Sequence, residues 1–166
     1  MTGDVRSYLT GTLGLAMLLA VSAMLTISRA RLVADAAAHA HLSRLIALAI
    51  AVQALHFLEE LGTGFYVRFP AALGLGSWSA TFFVAFNLAW IAIWILSAFG
   101  VRRGVAAALA PIWFLALAMI LNAVAHPVLA LGAAGYFPGL FTAPIAGIAG
   151  LVLAHRLLRL TEPRET

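Results

Sequence analysis

The residues best suited to chemistry in this sequence are three ionisable side chains in the run His56-Phe57-Leu58-Glu59-Glu60. On a helix that turns about 100° per residue, Glu60 lies about 40° from His56 and Glu59 about 60° the other way, so the three side chains share one face. An imidazole beside two carboxyl groups can bind a cation or exchange protons. The run therefore predicts either a metal site or an acid/base site.

A second polar pair, Asn122 and His126, has the four-residue spacing that stacks two side chains on one side of a helix. Asn87 is the strongly polar residue of another apolar segment. Two imidazoles with one or two carboxylates form a ligand set that suits zinc or iron and leaves a coordination position open. A dinuclear carboxylate site normally uses more acids than this chain offers, so we favour a single metal ion.

The composition places these polar side chains in a membrane. The chain has 166 residues, of which 64% are hydrophobic and 10% charged, and its mean hydropathy is +1.04. A soluble domain this apolar would have too little polar surface. The absence of cysteine excludes disulfides, thiolate metal sites and cysteine nucleophiles.

Five apolar segments are each long enough to cross about 30 Å of hydrocarbon as a helix. We therefore predict an all-α fold, a polytopic bundle of about five transmembrane helices that forms a single domain over residues 1–166. The first segment is longer than the core of a cleaved signal peptide, so we expect it to be retained as a helix. The segments cover about 8–28, 43–61, 79–99, 105–131 and 138–159.

The arginines predict the orientation of this bundle. All ten basic residues are arginine, placed singly or in pairs at predicted helix ends, which is typical of an orientation signal and argues against nucleic-acid binding. Eight lie on one predicted side and two on the other, so we expect an N-out, C-in arrangement. The eight are Arg29, Arg31, Arg44, Arg102, Arg103, Arg156, Arg159 and Arg164; the two are Arg6 and Arg68.

This topology predicts that the polar groups meet in the outer half of the bundle. His56 and His126 are each about five residues from the outer end of their segments, so both lie roughly 7–8 Å below the boundary and are level. We expect the two imidazoles to face each other. Asn87 is somewhat deeper, Thr142 enters from the outer end of the last segment, and residues 62–77 form an irregular or short helical cover along the outer interface.

The same residues resemble those of the HXXEE-motif family of small bacterial integral membrane proteins. The resemblance rests on the run from His56 to Glu60, on Asn122 and His126, and on the turn Tyr136-Phe137-Pro138-Gly139 with Thr142-Ala143. It covers about residues 45–150. The family has no established activity, so the resemblance implies that the motif residues matter and that the protein is a multi-pass protein of the bacterial inner membrane.

Our first hypothesis is an integral-membrane enzyme that acts on an apolar, lipid-like or isoprenoid-like substrate, a hydrolase or an isomerase. One divalent ion, zinc or iron, is held by His56, Glu60 and His126, and Glu59 is the general acid/base. His56 and Glu60 are also counted as catalytic residues. Asn87, Asn122 and Tyr136 are assigned to cofactor binding, where they orient ligands or polarise substrate.

Several alternatives stay open at this stage. A metal-free isomerase or cyclase would share a proton between the two glutamates and a histidine. A carrier of metal ions or protons, a non-catalytic partner subunit and a purely structural hydrogen-bond network are the others. Ala146, Gly150 and Ala154 form a small-residue face that allows close packing, within the bundle or between copies in a homo-oligomer. Trp90, Trp94 and Trp113 are interpreted as packing or lipid-facing residues.

Overall fold

The computed structural model describes residues 5–29, 31–32 and 36–162. Nearly all of them are helical, because a chain in lipid must satisfy its backbone hydrogen bonds internally. Five helices are long and apolar enough to cross a membrane, so the all-α multi-pass fold is confirmed. The helices are α1 (Val5–Ser28), α2 (Ala36–Thr63), α3 (Phe65–Ala72), α4 (Ala80–Arg102), α5 (Leu109–Gly132) and α6 (Ala143–Leu160), with a 3-10 turn at Ala106–Ala108 before α5.

The largest difference from the sequence prediction is the start of α2. We expected the second apolar segment to begin at about residue 43, but the helix begins at Ala36 and includes His39 and His41 in its first turns. The physical reason is that alanine favours helix strongly and no glycine or proline interrupts this stretch. Hydropathy detects only the part of a helix that is suited to the hydrocarbon, so it placed the boundary too late.

Two short strands join the connection between α1 and α2 to the end of α6. Strand β1 (Arg31–Leu32) pairs antiparallel with β2 (Thr161–Glu162). Arg29 Nη1 also donates hydrogen bonds to the carbonyls of Leu158 and Thr161, at 3.3 and 3.0 Å. These contacts define one end of the bundle. The N-out orientation stays a prediction, and Arg164, which was counted toward it, lies outside the described residues.

The opposite end carries α3 and the connection between α5 and α6, and we call it the α3 end. Gly64 separates α2 from α3 with a positive φ of 80°, a conformation that glycine adopts without steric cost. Trp78 Nε1 donates to the carbonyl of Ser7 at 3.2 Å, and Ser7 Oγ donates to the carbonyl of Gly76. The expected cover over residues 62–77 is thus a short helix held against the start of α1.

Helix α5 lies at the centre and contacts α1, α2, α4 and α6. Its closest neighbour is α6, because Gly147 and Gly150 present no side chain to it. A Cβ on Gly147 would lie 2.3 Å from Ala123 Cβ, and one on Gly150 2.7 Å from the carbonyl oxygen of Ala116. The small-residue face of α6 is therefore buried within this chain, and its packing role is confirmed. Association of copies stays a prediction without support from this face.

We expect Gly150→Ala to destabilise the protein, because the added methyl group meets backbone that cannot move without displacing α5. Overpacking of this kind typically costs about 1–3 kcal/mol. Thermal unfolding in detergent measures the effect. Gly62→Ala is the matched control, since a Cβ there meets nothing within 4 Å. Equal unfolding temperatures for the two variants would contradict the close approach of α5 and α6.

Candidate metal centre

Three side chains from α2 and α5 meet at one point near the α3 end. His56 Nε2 lies 3.2 Å from His126 Nε2, and Glu60 Oε1 lies 3.5 Å from the first nitrogen and 3.4 Å from the second. All three residues are buried, with exposed fractions of 0%, 2% and 7% for His56, His126 and Glu60. The expectation that the two imidazoles are level and face each other is confirmed.

The other ring nitrogen of His126 fixes its tautomer. His126 Nδ1 lies 2.6 Å from the carbonyl oxygen of Pro138. A carbonyl oxygen only accepts, so Nδ1 must carry the proton and donate it. In neutral His126, Nε2 then carries no proton, and its lone pair faces Glu60 and His56. This pattern, in which the far nitrogen is held by a carbonyl, is the usual support of a metal-binding histidine.

The tautomer of His56 is fixed through Thr142 and Glu59. Thr142 Oγ1 lies 2.5 Å from Glu59 Oε2 and 2.7 Å from His56 Nδ1. The threonine hydroxyl has one proton, which it donates to the carboxylate, so His56 Nδ1 must donate its own proton to the hydroxyl oxygen. In neutral His56, Nε2 consequently carries no proton either, and its lone pair faces that of His126 Nε2.

Glu59 fits this arrangement as an ionised carboxylate. Besides the Thr142 hydroxyl it accepts hydrogen bonds from the backbone N–H groups of Phe141 and Thr142, at 3.1 and 2.8 Å, and from the Tyr136 hydroxyl at 2.8 Å. A carboxyl group with only donors around it is stabilised in its charged form. Burial, together with the adjacent Glu59 carboxylate, raises the pKa of Tyr136, so its hydroxyl remains a donor at neutral pH.

With both histidines neutral and Glu60 as a carboxylate, the centre brings together three electron-pair donors. Two imidazole lone pairs and one carboxylate would repel one another in a buried site unless a positive charge lies between them. The edges of a tetrahedron with metal–ligand bonds of about 2.0–2.1 Å measure about 3.3–3.4 Å. The observed separations of 3.2, 3.4 and 3.5 Å match three corners of such a tetrahedron. The residues present thus fit a small divalent cation.

The centre borders a cavity of about 260 Å³ that is lined by residues of α1 to α5. Glu60 and His126 line this cavity, as do Gln53, Asn87 and Asn122. Nine of the other lining residues are aromatic, Trp90 and Trp94 among them. Trp94 and Trp113 lie in the hydrophobic core and Trp90 packs against it, so the packing interpretation of the three tryptophans is confirmed. The contribution of Trp90 and Trp94 to a cavity wall was not predicted. The aromatic residues are Phe65, Phe69, Trp78, Phe82, Phe83, Phe86, Trp90, Trp94 and Phe114.

Helix α3 and the loop before α6 close the centre from the α3 end. The Phe65 ring lies 5.6 Å from that of His126 and 6.2 Å from that of Phe137, measured between centroids. Arg68 Nη2 donates to the carbonyl of Tyr136 at 2.9 Å, and its guanidinium lies 5.2 Å from the Phe137 ring. The cover excludes water from the histidines, which strengthens every electrostatic interaction in the centre.

The residues proposed from the sequence fall into two groups. His56, Glu60 and His126 form the centre, and Asn87 and Asn122 line the cavity beside it. Glu59 and Tyr136 lie behind the centre, on the far side of Thr142, and neither is among the residues that line the cavity. The catalytic and cofactor-binding roles assigned to these two residues stay predictions, and their positions favour a supporting role.

The sequence named the turn with Pro138 and Gly139 only through the family resemblance and did not predict that the Pro138 carbonyl and Gly139 contact the histidines. Gly139 has φ 88°, and a Cβ on it would lie 2.4 Å from His126 Cε1 and 2.9 Å from His56 Cε1. The Pro-Gly pair was the available signal, because it marks a turn in which glycine supplies the positive φ. The contact of this turn with two histidines is not encoded locally and needed the tertiary structure.

Comparison with family models, curated proteins and solved structures finds no match to this chain. The resemblance to the HXXEE-motif family stays a prediction.

Proposed function

We propose that this protein is a membrane-embedded, metal-dependent enzyme that acts on an apolar, lipid-like substrate. One divalent ion, zinc or iron, is held by His56, Glu60 and His126. The observation that carries the proposal is the convergence of two imidazole Nε2 atoms and one carboxylate oxygen, all from buried residues and 3.2–3.5 Å apart. We place the protein in the inner membrane of a bacterium, with the centre on the extracytoplasmic side.

The charges near the centre support a divalent ion. Glu59 and Glu60 together carry two negative charges at membrane depth, where an uncompensated charge is costly. Among the described residues, the only ion-pair partners of Glu60 are His56 and His126, which are neutral in the tautomers described above. A divalent cation would bring the total charge of the centre to zero and satisfy all three lone pairs.

The position of the centre at the cavity wall supports catalysis. A divalent ion with an open coordination position lowers the pKa of a bound water toward neutrality and polarises an oxygen of the substrate. Glu60 lies at the boundary between the centre and the cavity, so its carboxylate is best placed to move a proton there. Asn87 and Asn122 can orient a polar group of the substrate, and Glu59 positions His56 through Thr142.

Two observations bear on the alternatives. The 3.2 Å between the two Nε2 atoms is also a hydrogen-bond length, so one shared proton could replace the metal, as a metal-free acid/base isomerase or cyclase would need. A carrier would need a polar path across the bilayer. Below the cavity, the described core is instead formed mainly by apolar side chains, which argues against a carrier; these include Leu42, Ile46, Leu109, Ile112 and Leu153.

Metal analysis of the purified protein separates the first two functions. After loading with zinc or iron and removal of free ion, we expect about one equivalent per chain, because the three ligands define a single site. A folded preparation that binds neither ion above background would overturn the metal proposal and favour the shared proton.

The Thr142 hydroxyl gives a second test, because it orients His56 without touching the metal. We expect Thr142→Val to lower the affinity for the metal about 10- to 100-fold, the usual effect of losing such a supporting hydrogen bond. Thr142→Ser keeps the hydroxyl and should bind almost as the wild type does. Competition with a coloured chelator measures both. Equal affinities for the valine and serine variants would show that the Glu59–Thr142–His56 chain does not support the centre.

A further inference from the structure

The cavity follows α5, and its two ends differ in chemistry. From His126 at the metal centre to Phe114 at the far end, the lining of α5 covers twelve residues or about 18 Å along the helix axis. Its polar side chains gather toward the metal centre, while Trp90, Trp94 and Phe114 surround the far end. An extended chain advances about 1.2 Å per bond, so the cavity matches a chain of about 15 bonds. We call the two parts the polar end and the aromatic end.

The polar end offers unused hydrogen-bonding capacity. Gln53, which is 7% exposed, has a buried Oε1 atom without a partner. Asn87 and Asn122 are half-buried. Asn87 uses one amide hydrogen on the carbonyl of Phe83 at 2.9 Å, and the Asn122 side chain makes no hydrogen bond to any described residue. The buried oxygen of Gln53 is costly unless a ligand or water pairs with it. The three amides, with Glu60 and His126, outline a site for a group that can both donate and accept.

The charge of the polar end disfavours an anionic head group. No arginine is among the residues that line the cavity in the described part of the chain. Glu60 is the acidic residue of this lining, so a phosphate or a carboxylate would lie beside a carboxyl group without an arginine to pair with. The matching head group is neutral and is able to donate and to accept a hydrogen bond, which describes a hydroxyl group.

We propose that the cavity binds a single-chain alcohol with a hydrocarbon or isoprenoid tail, its hydroxyl at the polar end and its tail end near Trp94. This inference rests on the proposed function in one respect, that the bound alcohol is the substrate. The fit of the alcohol to the cavity is independent of the metal. The apolar wall holds the tail, and the amides select the head and fix its direction. Such division between an apolar wall and a few polar groups is usual in small-molecule sites.

Tryptophan fluorescence tests the direction of binding, because Trp78 lies at the α3 end and Trp94 at the aromatic end. The probe is a saturated alcohol of about 15 carbons brominated at its last carbon, since bromine quenches a nearby indole. We expect quenching that saturates in the wild type, persists in Trp78→Phe and falls in Trp94→Phe. Quenching that depends on Trp78 and not on Trp94 would mean the opposite direction and would overturn the proposal.

Competition with the unbrominated molecules tests the head group. The alcohol should displace the probe about tenfold better than the alkane, the acid or the phosphate ester of equal length, the effect of about one net hydrogen bond. Asn122→Leu should remove this preference, while Val124→Leu, on the exposed side of α5, should keep it. Equal or better competition by the alkane, the acid or the phosphate ester would overturn the proposal.

Repeating the probe titration with His56→Ala separates this inference from the proposed function. We expect the bromoalcohol to quench Trp94 in this variant as well, because the cavity wall does not include His56. If the protein binds the alcohol in the expected direction but never takes up metal, the alcohol site stands and the metal-dependent enzyme is rejected. Uptake of metal without any preference for the alcohol would reject the alcohol site alone.

Discussion

His126→Ala is expected to lower the affinity for the metal by more than about 100-fold, the largest effect of any single change proposed for this protein. The substitution removes one of three ligand atoms, which costs more than the 10- to 100-fold typical of a supporting hydrogen bond. It also leaves Glu60 and His56 with one neighbour fewer and frees the carbonyl of Pro138. Chelator competition measures the change in affinity, and circular dichroism measures the helix content of the same sample.

His41→Ala is the control for this experiment. His41 is exposed and lies in the first turns of α2, about 22 Å along the helix from His56. We expect it to bind the metal as the wild type does. If His126→Ala keeps wild-type affinity while His41→Ala loses it, the ion binds at the start of α2 and the proposed centre is wrong.

Gly139→Ala is expected to disrupt the centre almost as strongly, although the residue carries no ligand atom. A Cβ on Gly139 would lie 2.4 Å from His126 Cε1 and 2.6 Å from His126 Nδ1, so the ring must move away from Pro138 and Glu60. The positive φ of 88° adds backbone strain of about 1–2 kcal/mol for alanine. We expect at least a tenfold loss of metal affinity together with a lower unfolding temperature.

Gly135→Ala tests whether this effect is specific to the contact. Gly135 belongs to the same loop, but a Cβ there meets nothing within 4 Å and its φ is not in the positive range. The variant should bind metal normally and unfold near the wild-type temperature. Similar losses of metal affinity in the two variants would indicate that the loop tolerates no substitution at all. The effect of Gly139→Ala would then not come from its contact with the imidazoles.

The fold and the ligand set could be predicted from the sequence because both depend on spacing within a single helix. The helical period places His56 and Glu60 on one face, and hydropathy together with the membrane thickness makes His56 level with His126. Their side chains meet as expected, with 3.2 Å between the two Nε2 atoms. In a bundle of five spans with short loops, two inward-facing residues at equal depth have few possible neighbours, so they are expected to lie close together.

The roles of Glu59 and Tyr136 could not be resolved in the same way. Both were assigned to the reacting site because their side chains are polar and close to His56 in sequence or depth. In the structure they bind each other and the start of α6, with 2.8 Å between the Tyr136 hydroxyl and Glu59 Oε1. The 100° between neighbouring residues on a helix was enough to direct Glu59 toward the loop and Glu60 toward the cavity. Which neighbour occupies each direction is a tertiary property.

The origin of the ligands has a consequence for how the bundle holds together. His56 belongs to α2, His126 to α5, and the Thr142 hydroxyl that orients His56 stands just before α6. These segments lie up to 86 positions apart along the chain, so the ion can bind tightly only after the last span has docked. A ligand that binds only the assembled form at 1,000 times its dissociation constant adds about 4 kcal/mol to that form. The ion would therefore fasten the five-helix assembly, and a chelator would loosen it.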